Sequence, residues 1–137
     1  MSFGVSMTKK RNMKLIPYFV SALSGISVWI GVGIIIRNTE AWDSPLYWKV
    51  GLPFLAFVTF IIGFIQPKAP YRWGLTQGLS QSIVILVQGL YFGYGMNLYP
   101  PSIVVNIILS IPSILSAYLG VALGNFSRNR TTGQNYK

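Results

Sequence analysis

Cysteine and histidine are both absent from this chain, and its only acids are Glu40 and Asp43. Without cysteine there is no disulfide, no thiolate metal site and no sulfur nucleophile. Without histidine the commonest metal ligand and the usual general base at neutral pH are missing. The two acids stand three positions apart in one short segment, so neither is available to pair with a carboxylate elsewhere. These absences exclude most conventional catalytic and metal chemistry, and the expectation is a protein without enzymatic activity and without a cofactor. Charge of either sign is scarce as well. Charged residues make up 9% of the sequence, where a soluble domain carries roughly 25%.

What fills the space is apolar sequence. Over half of the 137 residues are hydrophobic, and the charges avoid four long stretches, about 15–36, 46–65, 73–95 and 102–124. The first of these holds 22 residues without a charge. At 1.5 Å per residue that is about 33 Å of helix, enough to cross a bilayer and too long for the core of a cleavable signal peptide. The pattern predicts an all-α integral membrane protein with four transmembrane helices in an antiparallel left-handed bundle. A basic segment, 1–14, precedes this single domain, and a polar, basic, disordered tail, 125–137, follows it. The first connection, RNTEAWDSP, holds both acids; the second is a proline-containing turn at 66–72; the third ends in Pro100 and Pro101.

The eleven Lys and Arg residues are unevenly placed. Lys9, Lys10, Arg11 and Lys14 precede the first stretch, Lys68 and Arg72 occupy the second turn, and Arg128, Arg130 and Lys137 lie in the tail. Only Arg37 and Lys49 fall on the other side, beside both acids. The positive-inside rule then puts both termini in the cytoplasm. The net charge of +9 is read here as attraction to anionic headgroups on the cytoplasmic face and not to nucleic acid, because no basic face belongs to a soluble fold. Lys68, Arg72 and Trp73 are the candidate headgroup contacts. Trp42, Tyr47, Trp48, Tyr94 and Tyr99 gather at the predicted outer boundary, and Tyr18, Tyr71 and Trp73 at the inner one, the levels that amphipathic rings prefer. Trp29 falls inside the first span, as a core residue, a lipid-facing one or a ligand platform.

The third stretch is the least apolar. It contains the doubled unit Gly74-Leu75-Thr76-Gln77 and Gly78-Leu79-Ser80-Gln81, followed by Gln88. Each span carries one stripe of small or polar residues at spacings of three and four: Ser21, Ser24, Val28, Gly31; Ala56, Thr59, Gly63, Gln66; Gln77, Gln81, Val84, Gln88, Tyr91, Gly95; and Ser102, Asn106, Ser110, Ser113, Ala117, Gly120, Gly124. Such stripes let helices approach closely and exchange hydrogen bonds in lipid, where apolar burial does not drive them together. The short third connection makes the last two spans neighbours, with Gln88 level with Asn106 to Ser110, and Gln77 and Gln81 level with Ala117 and Gly120. The candidate polar seam is Gln77, Gln81, Gln88, Asn106, Ser110 and Ser113. It serves either as interhelical adhesion or as the lining of a narrow route for a small polar solute or ion.

Pro53 and Pro112 lie inside spans, and Pro112, which cannot donate to the carbonyl of Ile108, predicts a kink there. Pro17-Tyr18, Gly25 and Ser27 share their offsets with Pro70-Tyr71, Gly78 and Ser80, as in a tandem duplication of hairpins. In size and layout the chain resembles the small multidrug transporters and the small fluoride channels. The first span nevertheless lacks the embedded glutamate of the former. Neither the early glycine-and-arginine motif nor the threonine-serine-phenylalanine run of the latter is present. The layout is that of small multi-pass proteins of bacterial membranes. The expected location is therefore the bacterial inner membrane. The expected role is an accessory, assembly or scaffold component that works with a membrane-protein partner or as a homo-oligomer. The other reading is a small dimeric channel or carrier.

Overall fold

A computed structural model describes residues 3–36, 41–92 and 99–133. All the elements among them are helical: α1 (Phe3–Ile36), a 3-10 turn (Ala41–Asp43), a π-helical turn (Tyr47–Gly51) that runs into α2 (Leu52–Ile65), α3 (Tyr71–Phe92), α4 (Tyr99–Leu109) and α5 (Ile111–Gly133). Three stretches are long and apolar enough to cross a membrane, Leu15–Ile36, Tyr47–Ile65 and Pro101–Arg130. They correspond to the first, second and fourth runs of the sequence. α3 is not among them, because its glutamines and serines lower its mean hydropathy.

Two helices overrun their apolar segments. α1 begins at Phe3, ahead of Lys9 and Lys10, and α5 continues to Gly133 through residues expected to form a loose tail. Once a helix is nucleated, each further residue adds a hydrogen bond at little cost, so polar flanks extend it. The third connection, 93–98, lies outside the described residues, as does Arg37–Glu40.

Both interior prolines leave marks on the backbone. Pro53 cannot donate to the carbonyl four residues back, and the helix before it widens into the π turn, where the Leu52 N–H donates to the Tyr47 carbonyl. Pro112 has the same defect, and the helical run is divided two residues earlier, at Ser110. There the Ser110 N–H is shared between the Asn106 and Ile107 carbonyls at 3.0 and 3.2 Å. Its hydroxyl donates to Ile107, at 2.6 Å, and not to the Ile108 carbonyl that Pro112 leaves free. In the turn before α3, Ala69 adopts φ 53° between Pro67 and Pro70.

The closest packing joins helices that are not consecutive: α2 lies along α5, and α1 along α3. On the first pair, Thr59 Oγ1 donates to the Ser113 carbonyl at 2.9 Å and Ser116 Oγ to the Ala56 carbonyl at 2.7 Å. Gly63 rests on the Ala117 carbonyl and Gly120 on the Phe60 carbonyl, so closely that a Cβ on either glycine would collide with backbone. Partners advance together along both helices, so α2 and α5 run in the same direction. α1 and α3 do likewise: Ser21 Oγ donates to the Trp73 carbonyl, Gln77 Nε2 to Ser24 Oγ at 3.0 Å, and Trp29 Nε1 to Gln88 Oε1 at 3.2 Å.

This arrangement corrects the expected register. Gln77 and Gln81 do not lie against Ala117 and Gly120, which are covered by α2. Instead Gly74 packs on Ile114, and Gly78 on Asn106 and Ser110. Two small apolar clusters close the interior. One is Trp29, Val32, Ala41 and Tyr47, and the other is Ile62, Trp73 and Ala117.

Candidate functional site

The polar residues of α3 occupy the middle of the molecule. Gln77 and Gln81 are one helical turn apart and are exposed by only 1% and 2%. Spacing of four keeps both on one face of α3. Gln77 Nε2 donates to Ser24 Oγ on α1 and, at 3.2 Å, to the Leu55 carbonyl on α2. Gln81 Oε1 accepts from the Tyr47 hydroxyl at 3.1 Å. The π turn carries Tyr47, and that ring is fully buried among protein side chains. Gln88, half-buried, holds the indole of Trp29. Trp29 proves to be a core residue, stacked edge-on against Trp42 and Tyr47 with centroids 5.2 and 6.3 Å away. One α3 glutamine thus binds α1 and α2 together, the second binds the π turn, and the third binds α1.

Not every polar atom is matched. Gln77 Oε1, Gln81 Nε2 and both Asn106 side-chain atoms are buried with no hydrogen-bond partner among the described residues. Asn106 is fully buried on α4, and Gly78, between the two glutamines, packs against its carbonyl. Ser110 and Ser113 are buried on the same strip. The Ser110 hydroxyl is used on its own helix, and the Ser113 carbonyl receives Thr59. Of the six seam candidates, then, Gln77 reaches α1 and α2, Gln81 the π turn and Gln88 α1, while Asn106 and Ser110 lie against Gly78 of α3 and Ser113 belongs to the α2–α5 contact. The unmatched atoms are two acceptors and two donors, all uncharged.

The three headgroup candidates separate. Lys68 and Arg72 are exposed. Arg72 Nη1 donates to the Tyr18 hydroxyl at 3.3 Å, and its guanidinium stands 5.9 Å from the centre of the Tyr71 ring. Trp73 is instead 3% exposed, inside the cluster with Ile62 and Ala117, with its ring edge-on to Tyr18 at 4.9 Å. Its indole N–H has no partner among the described residues. At the end of α2, Arg128 of α5 donates to the Phe64 and Ile65 carbonyls at 2.9 and 3.3 Å, as a cation at a helix C-terminus should. This contact was not anticipated from sequence.

The residues that clamp α2 to α5 stand in the stripes of the sequence, but their pairing with one another was not read from it. Gly120 and Gly124 are four apart, as are Thr59 and Gly63. That spacing, small residues separated by three others, signals close helix approach but does not say which helix is met. Among the described residues no group of three or more metal-binding side chains comes together. Comparison of the chain with protein-family models, with characterised proteins and with solved structures finds no match.

Proposed function

We propose that this is a small multi-pass membrane protein without enzymatic activity, acting through helix–helix association as an accessory, assembly or scaffold component. In this reading α3 is a fourth crossing. It has 22 residues, and its outward side chains are apolar: Leu79, Ile83, Leu86, Val87 and Leu90 are exposed, while Gln77, Ser80, Gln81 and Ser82 are buried. Its low hydropathy comes from an inward face that lipid would never meet. The opposite order of contacts along α3 and the α4–α5 run (Gly74 with Ile114, Gly78 with Ser110 and Asn106) supports an antiparallel relation between the last two crossings. The clustering of basic segments supports both termini on the cytoplasmic side, and the bacterial inner membrane rests on the likeness in size and layout to small multi-pass proteins of bacterial membranes. Arg72 meets the start of the first apolar run at Tyr18, and Arg128 meets the end of α2.

The observation that carries the scaffold reading is the use of the glutamines. Each of Gln77, Gln81 and Gln88 makes a hydrogen bond to another element, and the surface left outside is overwhelmingly apolar. Crosslinking in native membranes, followed by identification of what co-purifies, tests it. A stable membrane-protein partner is the expected result. A chain that crosslinks to nothing, itself included, counts against it.

A second reading, a narrow channel or carrier, is favoured by the unmatched atoms of Gln77, Gln81 and Asn106. It requires passage of a small polar solute or ion through reconstituted vesicles that Gln81→Leu abolishes while the bundle stays folded. Under the scaffold reading the wild-type protein passes nothing.

A further inference from the structure

On the outer surface, α1 and α3 leave an open apolar groove of about 330 Å³, lined by Tyr18, Phe19, Ala22, Leu23, Ile26 and Thr76. It follows α1 from Tyr18 to Ile26, about 12 Å of helix. Phe19 and Leu23 are strongly exposed beside it, and Ala22 is the smallest side chain in its lining. One end differs from the rest. There the Tyr18 hydroxyl accepts a hydrogen bond from Arg72, whose side chain is otherwise exposed. α3 also begins at this point, at Tyr71, with no acid in its first turn, so the positive end of its dipole adds to the arginine. Thr76, in the groove, is tied to the Arg72 carbonyl at 2.7 Å. A trough with apolar walls thus ends in a held guanidinium, whose fork of donors matches a phosphate.

We infer that the α1–α3 groove seats one acyl chain of an anionic glycerophospholipid, with the lipid phosphate on Arg72. The inference rests on reading the chain as membrane-embedded. The groove between α1 and α2, lined by Ile16, Pro17, Val20, Ile61, Ile62, Ile65 and Gln66, is not assigned an anionic lipid: the cation that reaches its lining, Arg128, is engaged by the Phe64 and Ile65 carbonyls at the end of α2. A second copy of the chain is a poorer occupant for the α1–α3 groove. It would have to bring an acid to Arg72, and Glu40 and Asp43 both lie beyond the far end of α1.

Native mass spectrometry of the full-length protein in mild detergent, with added dioleoyl phosphatidylglycerol or dioleoyl phosphatidylcholine, measures lipid retention directly. The wild type retains phosphatidylglycerol preferentially. Arg72→Gln lowers that retention roughly fivefold, the effect of one basic side chain at the membrane surface, and leaves phosphatidylcholine as it was. Ala22→Phe, which fills the groove from the lipid side, reduces retention of both. Lys49→Gln, on the π turn that packs at the other end of α1, changes neither. Equal retention of the two lipids by the wild type overturns the assignment, as does wild-type retention by Arg72→Gln or by Ala22→Phe. Conversion of a dimer to a monomer by Ala22→Phe makes a second copy the occupant and also overturns it. Flotation with vesicles separates the two levels of failure: a chain that does not float with them loses the membrane reading itself, whereas one that floats without lipid preference loses only the groove.

Discussion

Asn106 and Gln77 are both buried amides, yet they stand on opposite sides of the energy balance. Gln77 donates to Ser24 and Leu55, while neither side-chain atom of Asn106 has a partner among the described residues. Removing one half of a buried hydrogen bond costs about 1–3 kcal/mol, whereas removing a polar group that makes none relieves a penalty of the same kind. Gln77→Leu is therefore expected to destabilise the folded chain by about 1–3 kcal/mol, and Asn106→Leu to leave it unchanged or stabilise it by about 1 kcal/mol. Thermal unfolding of both variants in one detergent checks this. Equal loss at the two positions would mean that Asn106 is satisfied by something bound, which is what the solute reading demands. The pairing that makes Gln77 valuable involves α1 and α2, and nothing in the spacing of α3 alone could reveal it.

At the scale of elements, the seam between α2 and α5 decides the packing. A Cβ at Gly120 would meet the Phe60 carbonyl and one at Gly63 the Ala117 carbonyl, whereas one at Gly31 on α1 would meet nothing. Gly120→Ala is expected to cost about 1–3 kcal/mol, as overpacking does when backbone must move. Gly31→Ala should be neutral or stabilising by up to about 1 kcal/mol through helix propensity. Denaturant titration of the two alanine variants distinguishes a steric seam from a general need for glycine. The α1–α3 pair has its own signature in the faint repeat of the sequence. Gln77 meets Ser24 across 53 positions, the same offset that relates Pro17-Tyr18 to Pro70-Tyr71, so the two similar stretches lie side by side. The stripes themselves could be read from sequence because a period of three and four is a local property. Their partners could not, since four stripes of small residues are nearly interchangeable in composition and only shape selects among them.

For the whole molecule, the basic residues and the apolar exterior set the relation to the bilayer. With α3 as a crossing, a reporter fused after Lys137 should read as cytoplasmic, and one inserted beside Asp43 as external. A C-terminal reporter that reads external would remove either α3 or the predicted orientation. The sequence by itself determined that the chain is helical and apolar enough for a membrane, and of the four runs read from it three are long and apolar enough to cross. It also limited the available chemistry, because hydropathy, helix length and missing residue types depend only on neighbours along the chain. Tertiary structure decided the rest. It paired α1 with α3 and α2 with α5, and it moved the glutamines away from Ala117 and Gly120. It drew Tyr47 and Trp73 inside while leaving Arg72 at a groove, and it left Asn106 buried without a partner. Each of these depends on which backbone can approach which. That is settled by close contact between residues some fifty positions apart, a distance over which no local pattern carries information.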